Sequence, residues 1–243
     1  MIQKAAHRLG LHIGRFPPVD SLAYHLTVVF RELAITCVID VGAHTGEYGK
    51  FLRALGYRGQ IVSFEPVRST FETLSAVAAE DGNWRVENVA LGPNEGEMEI
   101  NICKGSVFNS FLPPTDNWTD RFRSETQVMT TERVRVRPLA SVIDEILATR
   151  RFSNLFVKMD TQGYDLEVIK SAGDRLRHVS AIQTELAARP TYQGMPSLAE
   201  ALTNLGGLGF EITGMFPVAR EMDHLRVIEF DCVMSRGPRR DAA

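Results

Sequence analysis

VIDVGAHTGEYG, residues 38–49, is an apolar run that carries an acid at Asp40 and then opens into Gly42, Gly46 and Gly49. A short apolar run closed by glycine reads as a buried strand, and the polar, glycine-broken stretch after it as the turn into a helix. This is the first strand-to-helix turn of a doubly wound α/β sheet, where ligands sit beyond the carboxyl ends of the strands. Dinucleotide sites place G-x-G-x-x-G there, and the second glycine lets the backbone approach a pyrophosphate. In this chain His44 stands in that place, which disfavours a diphosphate. The remaining pattern, D-x-G-x-x-x-G, suits a ligand with a small polar end. S-Adenosylmethionine is such a ligand, because its methionine part carries an ammonium and a carboxylate but no phosphate. Asp40 and the open backbone of Gly42, Ala43, His44 and Gly46 are therefore assigned to it.

The next strands extend the assignment. IVSFEP, residues 61–66, ends in Glu65 about twenty residues past the turn, where a carboxylate accepts hydrogen bonds from two ribose hydroxyls. Pro66 halts the strand at that carboxylate. The third strand runs into ENVALG, which offers Asn88, Val89 and Ala90 to flank an adenine ring. Strands are expected over 36–41, 60–64, 84–89, 154–159, 181–185, 210–215 and 229–234, with helices over 21–33, 47–55, 69–79, 139–149, 165–171 and 197–205. The alternation predicts an α/β fold with a Rossmann-like, seven-stranded and mainly parallel sheet, its last two strands forming an antiparallel hairpin at one edge.

At 243 residues and 44% hydrophobic content the chain can build one sizeable core. One domain over 36–236 is expected, with a helical segment at 1–35 and a disordered tail at 237–243. The connection between the third and fourth strands, about sixty residues, is too long for a plain crossover and predicts an insertion at about 93–138 with an extra strand pair. In its ERVRVRP run, Arg135 and Arg137 read as the solvated face of an edge strand. A net charge of −3, from 27 basic and 30 acidic residues, argues against a nucleic-acid partner. The cysteines Cys37, Cys103 and Cys232 have no metal or disulfide spacing, which fits a reducing, cytoplasmic setting. No run reaches the ~18 apolar residues of a transmembrane segment. Residues 1–14 form a short basic amphipathic pattern, read as a helix packed on the domain, with a weak membrane-surface contact left open. A homo-oligomer is left open as well.

VIDVGAHTGEYGKFLRALG, IVSFEPVRSTFETL, NVALG, VRPLASVIDEI and FVKMDTQGYDLEVIKSAG follow one another in an order and spacing that resemble the FkbM-type methyltransferases. The resemblance implies a class I methyltransferase fold, S-adenosylmethionine as cofactor, and methylation of a sugar hydroxyl on a glycolipid or polysaccharide precursor. A methyltransferase acting on a nitrogen or carboxyl of a small metabolite or peptide is the alternative enzyme. A non-catalytic nucleotide-binding scaffold or sensor is the alternative of another class.

Methyl transfer to an alcohol needs oxygen, methyl and sulfur held in line about 3 Å apart, and a group to take the alcohol's proton. Asp160 ends the fourth strand and is the first candidate base, also placed beside the cofactor, while Glu185 ends the fifth. The two carboxylates either hold a divalent cation such as Mg2+ that grips a sugar diol, or divide the work between base and orienting group. His44 is a third candidate base. Asn109 and Ser110 of the insertion, with Gln162 and Tyr164, are candidates for binding the acceptor, and Phe108 and Phe111 for an apolar lid.

Overall fold

The computed structural model describes residues 17–116, 120–149, 151–221 and 225–237. The helix expected at the N-terminus with His7 and His12, Trp118, His224 and the tail from 238 onward lie outside them. After α1 (Leu22–Glu32), strands β1 (Cys37–Val41), β2 (Gln60–Phe64) and β3 (Trp84–Glu87) alternate with α2 (Glu47–Ala54) and α3 (Arg68–Ala78). The chain then leaves the main sheet through β4 (Ala90–Leu91), β5 (Gly96–Cys103) and β6 (Val128–Arg137), with a 3-10 turn (Ser106–Phe108) and α4 (Asp120–Arg123) between the last two. It returns with α5 (Leu139–Ala148), β7 (Leu155–Met159), α6 (Asp165–Lys170), β8 (Val179–Ala187), α7 (Leu198–Gly207), β9 (Glu211–Glu221) and β10 (Arg226–Ser235).

The main sheet has seven strands in the order β3-β2-β1-β7-β8-β10-β9. Only β10 runs against its neighbours, pairing antiparallel with both β8 and β9, so the mainly parallel sheet with an edge hairpin is as predicted. The third strand is shorter than expected. Asn88 turns the chain at its end by donating its side-chain amide to the carbonyls of Glu65 and Pro66, at 2.9 and 2.8 Å. Ala90 and Leu91 then pair with β6, giving the insertion a three-stranded sheet, β4-β6-β5, instead of a strand pair. That corrects the expectation for Arg137: β6 is the central strand, and the guanidinium bridges Glu87 of the main sheet (3.3 Å) and Glu145 of α5. Arg135, two residues earlier, is exposed.

Period-two alternation sorts the strand residues between two cores. Ile39, Val62, Val157 and Ile182 face α5, α6 and α7, while Val38, Ile61, Phe156, Ala181 and Val233 face α1, α2 and α3. Two residues further along on that second face the apolar row becomes polar: Ser63, Asp40, Lys158 and Gln183 stand in register across β2, β1, β7 and β8. Trp84 of β3 begins the row by donating its indole N–H to Ser63 Oγ at 2.9 Å. The same indole explains two glycines of the opening stretch. A Cβ on Gly49 would lie 2.1 Å from the Trp84 ring and one on Gly46 3.2 Å from it, so α2 packs this close to β3 only because both positions are bare. Among the described residues no helix is long and apolar enough to cross a membrane.

Candidate active site

Asp40 is fully buried and borders neither of the two cavities on either side of the glycine turn, which corrects its assignment as a direct cofactor contact. Its Oδ2 accepts from Ser63 Oγ at 2.9 Å, and its Oδ1 faces Lys158 Nζ at 3.4 Å. Lys158 Nζ also donates to the Gly42 carbonyl at 3.2 Å, lies 3.4 Å from Asp160 Oδ2, and sits 5.3 Å from the centre of the Tyr48 ring. Burial works to lower the lysine's pKa, but Asp160 and Asp40 outweigh it and the value is raised, so Lys158 remains a cation. Asp40 is pushed up by its own burial, with Lys158 and Ser63 pulling it back. The acid of the opening stretch thus holds a lysine, and the lysine holds both the glycine turn and Asp160.

Gly42 brings the turn against β7. With φ at +72°, its missing Cβ would lie 2.0 Å from the carbonyl oxygen of Asp160. A cavity of about 280 Å³ opens on one side of this contact. Gly42, His44, Glu65, Pro66 and Asp160 border it, and Ala90, Leu91, Ile100 and Phe111 supply an apolar wall. Glu65 accepts from the backbone N–H of His44 at 3.0 Å and of Val67 at 2.9 Å. Burial raises its pKa to about 7 against the pull of those two N–H groups. Several assignments change here. Asn88 is spent on bracing the turn, and Val89 is in the core. Gly46 packs on Leu74 and Trp84, and Ala43 borders the second cavity instead. Asn109 and Ser110, expected to bind acceptor, stand in this first wall instead: Asn109 Oδ1 accepts from Cys103 N, and Ser110 Oγ donates to the Gln162 carbonyl. Tyr164 borders neither of these two cavities and packs edge-on against Phe111. Of the two lid candidates, Phe111 is in the wall and Phe108 packs on Phe122 instead.

The second cavity, also about 280 Å³, lies on the α1–α2 side. Its polar floor is Lys158, Asp160, Gln183, Glu185 and Asp231, with Leu22, Tyr48 and Phe51 on the helices above. Tyr48 donates to Gln183 Oε1 at 2.8 Å, and Gln183 Nε2 donates to Asp231 Oδ1 at 2.8 Å, which fixes the amide. Gly42, His44, Glu47 and Asp160 border both cavities. Lys158, Gln183, Asp231 and Tyr48 were not among the sequence candidates, although three of them are polar residues set into apolar strands.

His44, proposed as a base, has both ring nitrogens occupied: Nε2 is 2.9 Å from Ser106 Oγ and Nδ1 3.4 Å from Glu47 Oε2. It braces the turn against the insertion. For Mg2+, no group of three His, Cys, Asp or Glu side chains is arranged for a cation among the described residues. Between Asp160 and Glu185 stands the amide nitrogen of Gln162, 2.8 Å from the one and 3.2 Å from the other, where the cation was expected.

Glu65→Gln is expected to weaken S-adenosylhomocysteine binding by about tenfold or more, because one amide oxygen cannot accept from both backbone N–H groups and the ribose. Binding to the native protein should tighten as pH rises through 7, where Glu65 ionises, and titration calorimetry from pH 6 to 8 should show this slope flattened in the variant.

A sheet ordered β3-β2-β1-β7-β8-β10-β9, with a glycine turn after β1, is the class I methyltransferase fold. The match to the Methyltransferase FkbM domain over residues 40–212 makes the chain a member of the FkbM methyltransferase family. It is therefore an S-adenosylmethionine-dependent enzyme rather than a non-catalytic scaffold. No curated protein matches the chain. Solved structures similar to it include a protein of the NADB-Rossmann superfamily from Streptococcus agalactiae, at 12% identity and a TM-score of 0.46, over 89% of this chain and 69% of that one. Magnesium protoporphyrin IX methyltransferase from Synechocystis PCC 6803 with bound S-adenosylmethionine is similar at 10% identity and 0.44, over 93% and 86%.

Proposed function

We propose that the enzyme methylates a sugar hydroxyl, holding S-adenosylmethionine in the cavity bordered by Glu65 and the acceptor in the cavity floored by Lys158 and Asp231. The observation that carries this reading is that two cavities of different chemistry share a rim at Gly42, His44 and Asp160. The first fits the cofactor: a Cβ-free approach at Gly42, a buried carboxylate for ribose hydroxyls and an apolar wall for adenine. When bound, the sulfonium supplies an electrophilic methyl whose leaving thioether needs no acid. The second cavity presents the carboxyl groups of Asp160, Glu185 and Asp231 around the Lys158 ammonium on its floor, with that of Glu47 at its rim. Such a floor accepts hydrogen bonds from a neutral, hydroxyl-rich acceptor and repels an acceptor carboxylate or phosphate.

Asp160 stands where the cavities meet, so it takes the hydroxyl proton as the new carbon–oxygen bond forms. Lys158, 3.4 Å behind it, keeps the carboxylate fixed and stabilises the charge that develops on the acceptor oxygen. Gln183, held by Tyr48, and Asp231 orient neighbouring hydroxyls.

The test is label transfer from [methyl-3H]S-adenosylmethionine to methyl glycosides of neutral hexoses and 6-deoxyhexoses, beside a hexosamine and a hexuronate. Label in a neutral glycoside and none in the hexuronate is expected, with Asp160→Asn lowering the rate by about 10²–10⁴. Label confined to the amine or the carboxyl would contradict the reading.

A further inference from the structure

Gln162 occupies an unusual position in the turn after β7. Its φ is +53°, followed by Gly163 at +95°, a left-handed pair in which only the second residue is a glycine. Strained backbone of this kind persists where surrounding contacts over-determine it. Here the contacts consume every polar group of the side chain. Nε2 donates to Asp160 Oδ1 at 2.8 Å and Glu185 Oε2 at 3.2 Å, and Oε1 accepts from Tyr192 at 2.8 Å. The backbone carbonyl accepts from buried Ser110 at 2.8 Å. The reverse orientation of the amide would turn its oxygen toward two carboxylates, so the orientation is fixed by charge.

We infer that Gln162 is the positioning residue of the methyl-transfer site, its one amide nitrogen holding Asp160 and Glu185 as a pair of hydrogen-bond acceptors aimed at the substrate hydroxyls. The inference rests on the proposed function for what the pair acts upon, but not for the pairing itself. An amide N–H₂ has two protons, one for each carboxylate, and adds no charge to a floor whose only cation is already engaged by Asp40 and Asp160. The same residue ties the carboxylates to the first cavity, because Gln162 itself borders that cavity and its carbonyl is held by Ser110 in the cavity's wall. Asp160 of β7 and Glu185 of β8 are thereby set in one geometry with the wall that faces the cofactor.

The charged groups around Glu185 are Lys158 from β7, Asp160 at its tip, Glu229 and Asp231 from β10 and Asp165 from α6; burial and these carboxylates push its pKa well above the usual carboxylate range, and the amide of Gln162 is the hydrogen-bond donor to its ionised form. Removing that donor disfavours the ionised form. The experiment follows the Glu185 carboxyl by 13C NMR in Asp/Glu-labelled protein, with Glu185→Gln to assign the signal. In Gln162→Leu its titration midpoint should move up by about one pH unit. Gln162→Glu, nearly isosteric but unable to donate when ionised, should move it up at least as far. Both comparisons are made on protein whose NMR dispersion matches the native fold, and the Glu variant decides where the Leu variant does not fold. An unmoved midpoint overturns the positioning role. Calorimetry with S-adenosylhomocysteine separates the two claims: absence of binding to the native protein would remove the proposed function, while the midpoint alone decides on Gln162.

Discussion

Lys158→Met is expected to lower the folding stability by about 3–5 kcal/mol at pH 8, the range for removing one partner of a buried ion pair. Methionine fills much of the lysine's volume, so the loss arises from charge: Asp40 has no exposed surface, and its Oδ1 has no other counter-charge contact than Lys158 among the described residues. Asp160 loses the same ammonium, and the Gly42 carbonyl loses a donor. The pH dependence follows from linkage. With the cation gone, the folded-state pKa of Asp40, already raised by burial, moves further up relative to the unfolded chain. Folded protein then binds protons more strongly than unfolded protein, so the variant regains stability as pH falls. Urea midpoints at pH 8 and 5.5 should show a gap between native and variant that narrows at the lower pH. A constant gap would mean that the lysine contributes by packing instead.

Gly42→Ala is expected to cost the protein most of its cofactor affinity. A left-handed backbone costs alanine about 1–2 kcal/mol, and overpacking costs about 1–3 kcal/mol more. The overlap is with a main-chain oxygen, that of Asp160 at 2.0 Å, and a carbonyl cannot rotate away as a side chain can. Relief requires the turn after β1 to separate from the tip of β7, which pulls Lys158 away from the Gly42 carbonyl and opens the shared rim of the two cavities. S-Adenosylhomocysteine affinity should fall by at least about a hundredfold, as befits a loss of preorganisation. Gly49→Ala serves as the contrasting substitution: it meets the Trp84 ring, so its effect should fall on stability more than on binding.

The sheet was legible because its signal is simple. Each apolar run of about five residues ends at a turn residue, and the helices between them carry an apolar stripe. What the runs do not state is which way a side chain at a strand tip faces. Asp40 is the fourth residue of β1 and shares a face with Val38, so it points under the helices. Glu65 is one residue past β2, ahead of Pro66, and turns into the cavity. Both read alike as acids at strand ends, yet only Glu65 borders the cavity proposed for the cofactor. Lys158 carried a usable signal that went unread. A lysine inside LFVKM, with every residue of the strand buried, demands a counter-charge, and the strand order places Asp40 beside it in register. Gln183 and Asp231 follow by the same alternation on β8 and β10. The roles of Asn88, Asn109 and Ser110 could not be read that way. Asn88 and Ser110 bond backbone groups far along the chain and Asn109 one across a turn of the insertion, and such bonds depend on how the insertion folds and docks.

Titration calorimetry of the purified protein with S-adenosylhomocysteine, with NAD as the control, is the decisive measurement. One S-adenosylhomocysteine bound per chain, with affinity weakened in Glu65→Gln, and no heat from NAD are expected. Binding of NAD, or S-adenosylhomocysteine binding indifferent to Glu65, would contradict the proposed cofactor site.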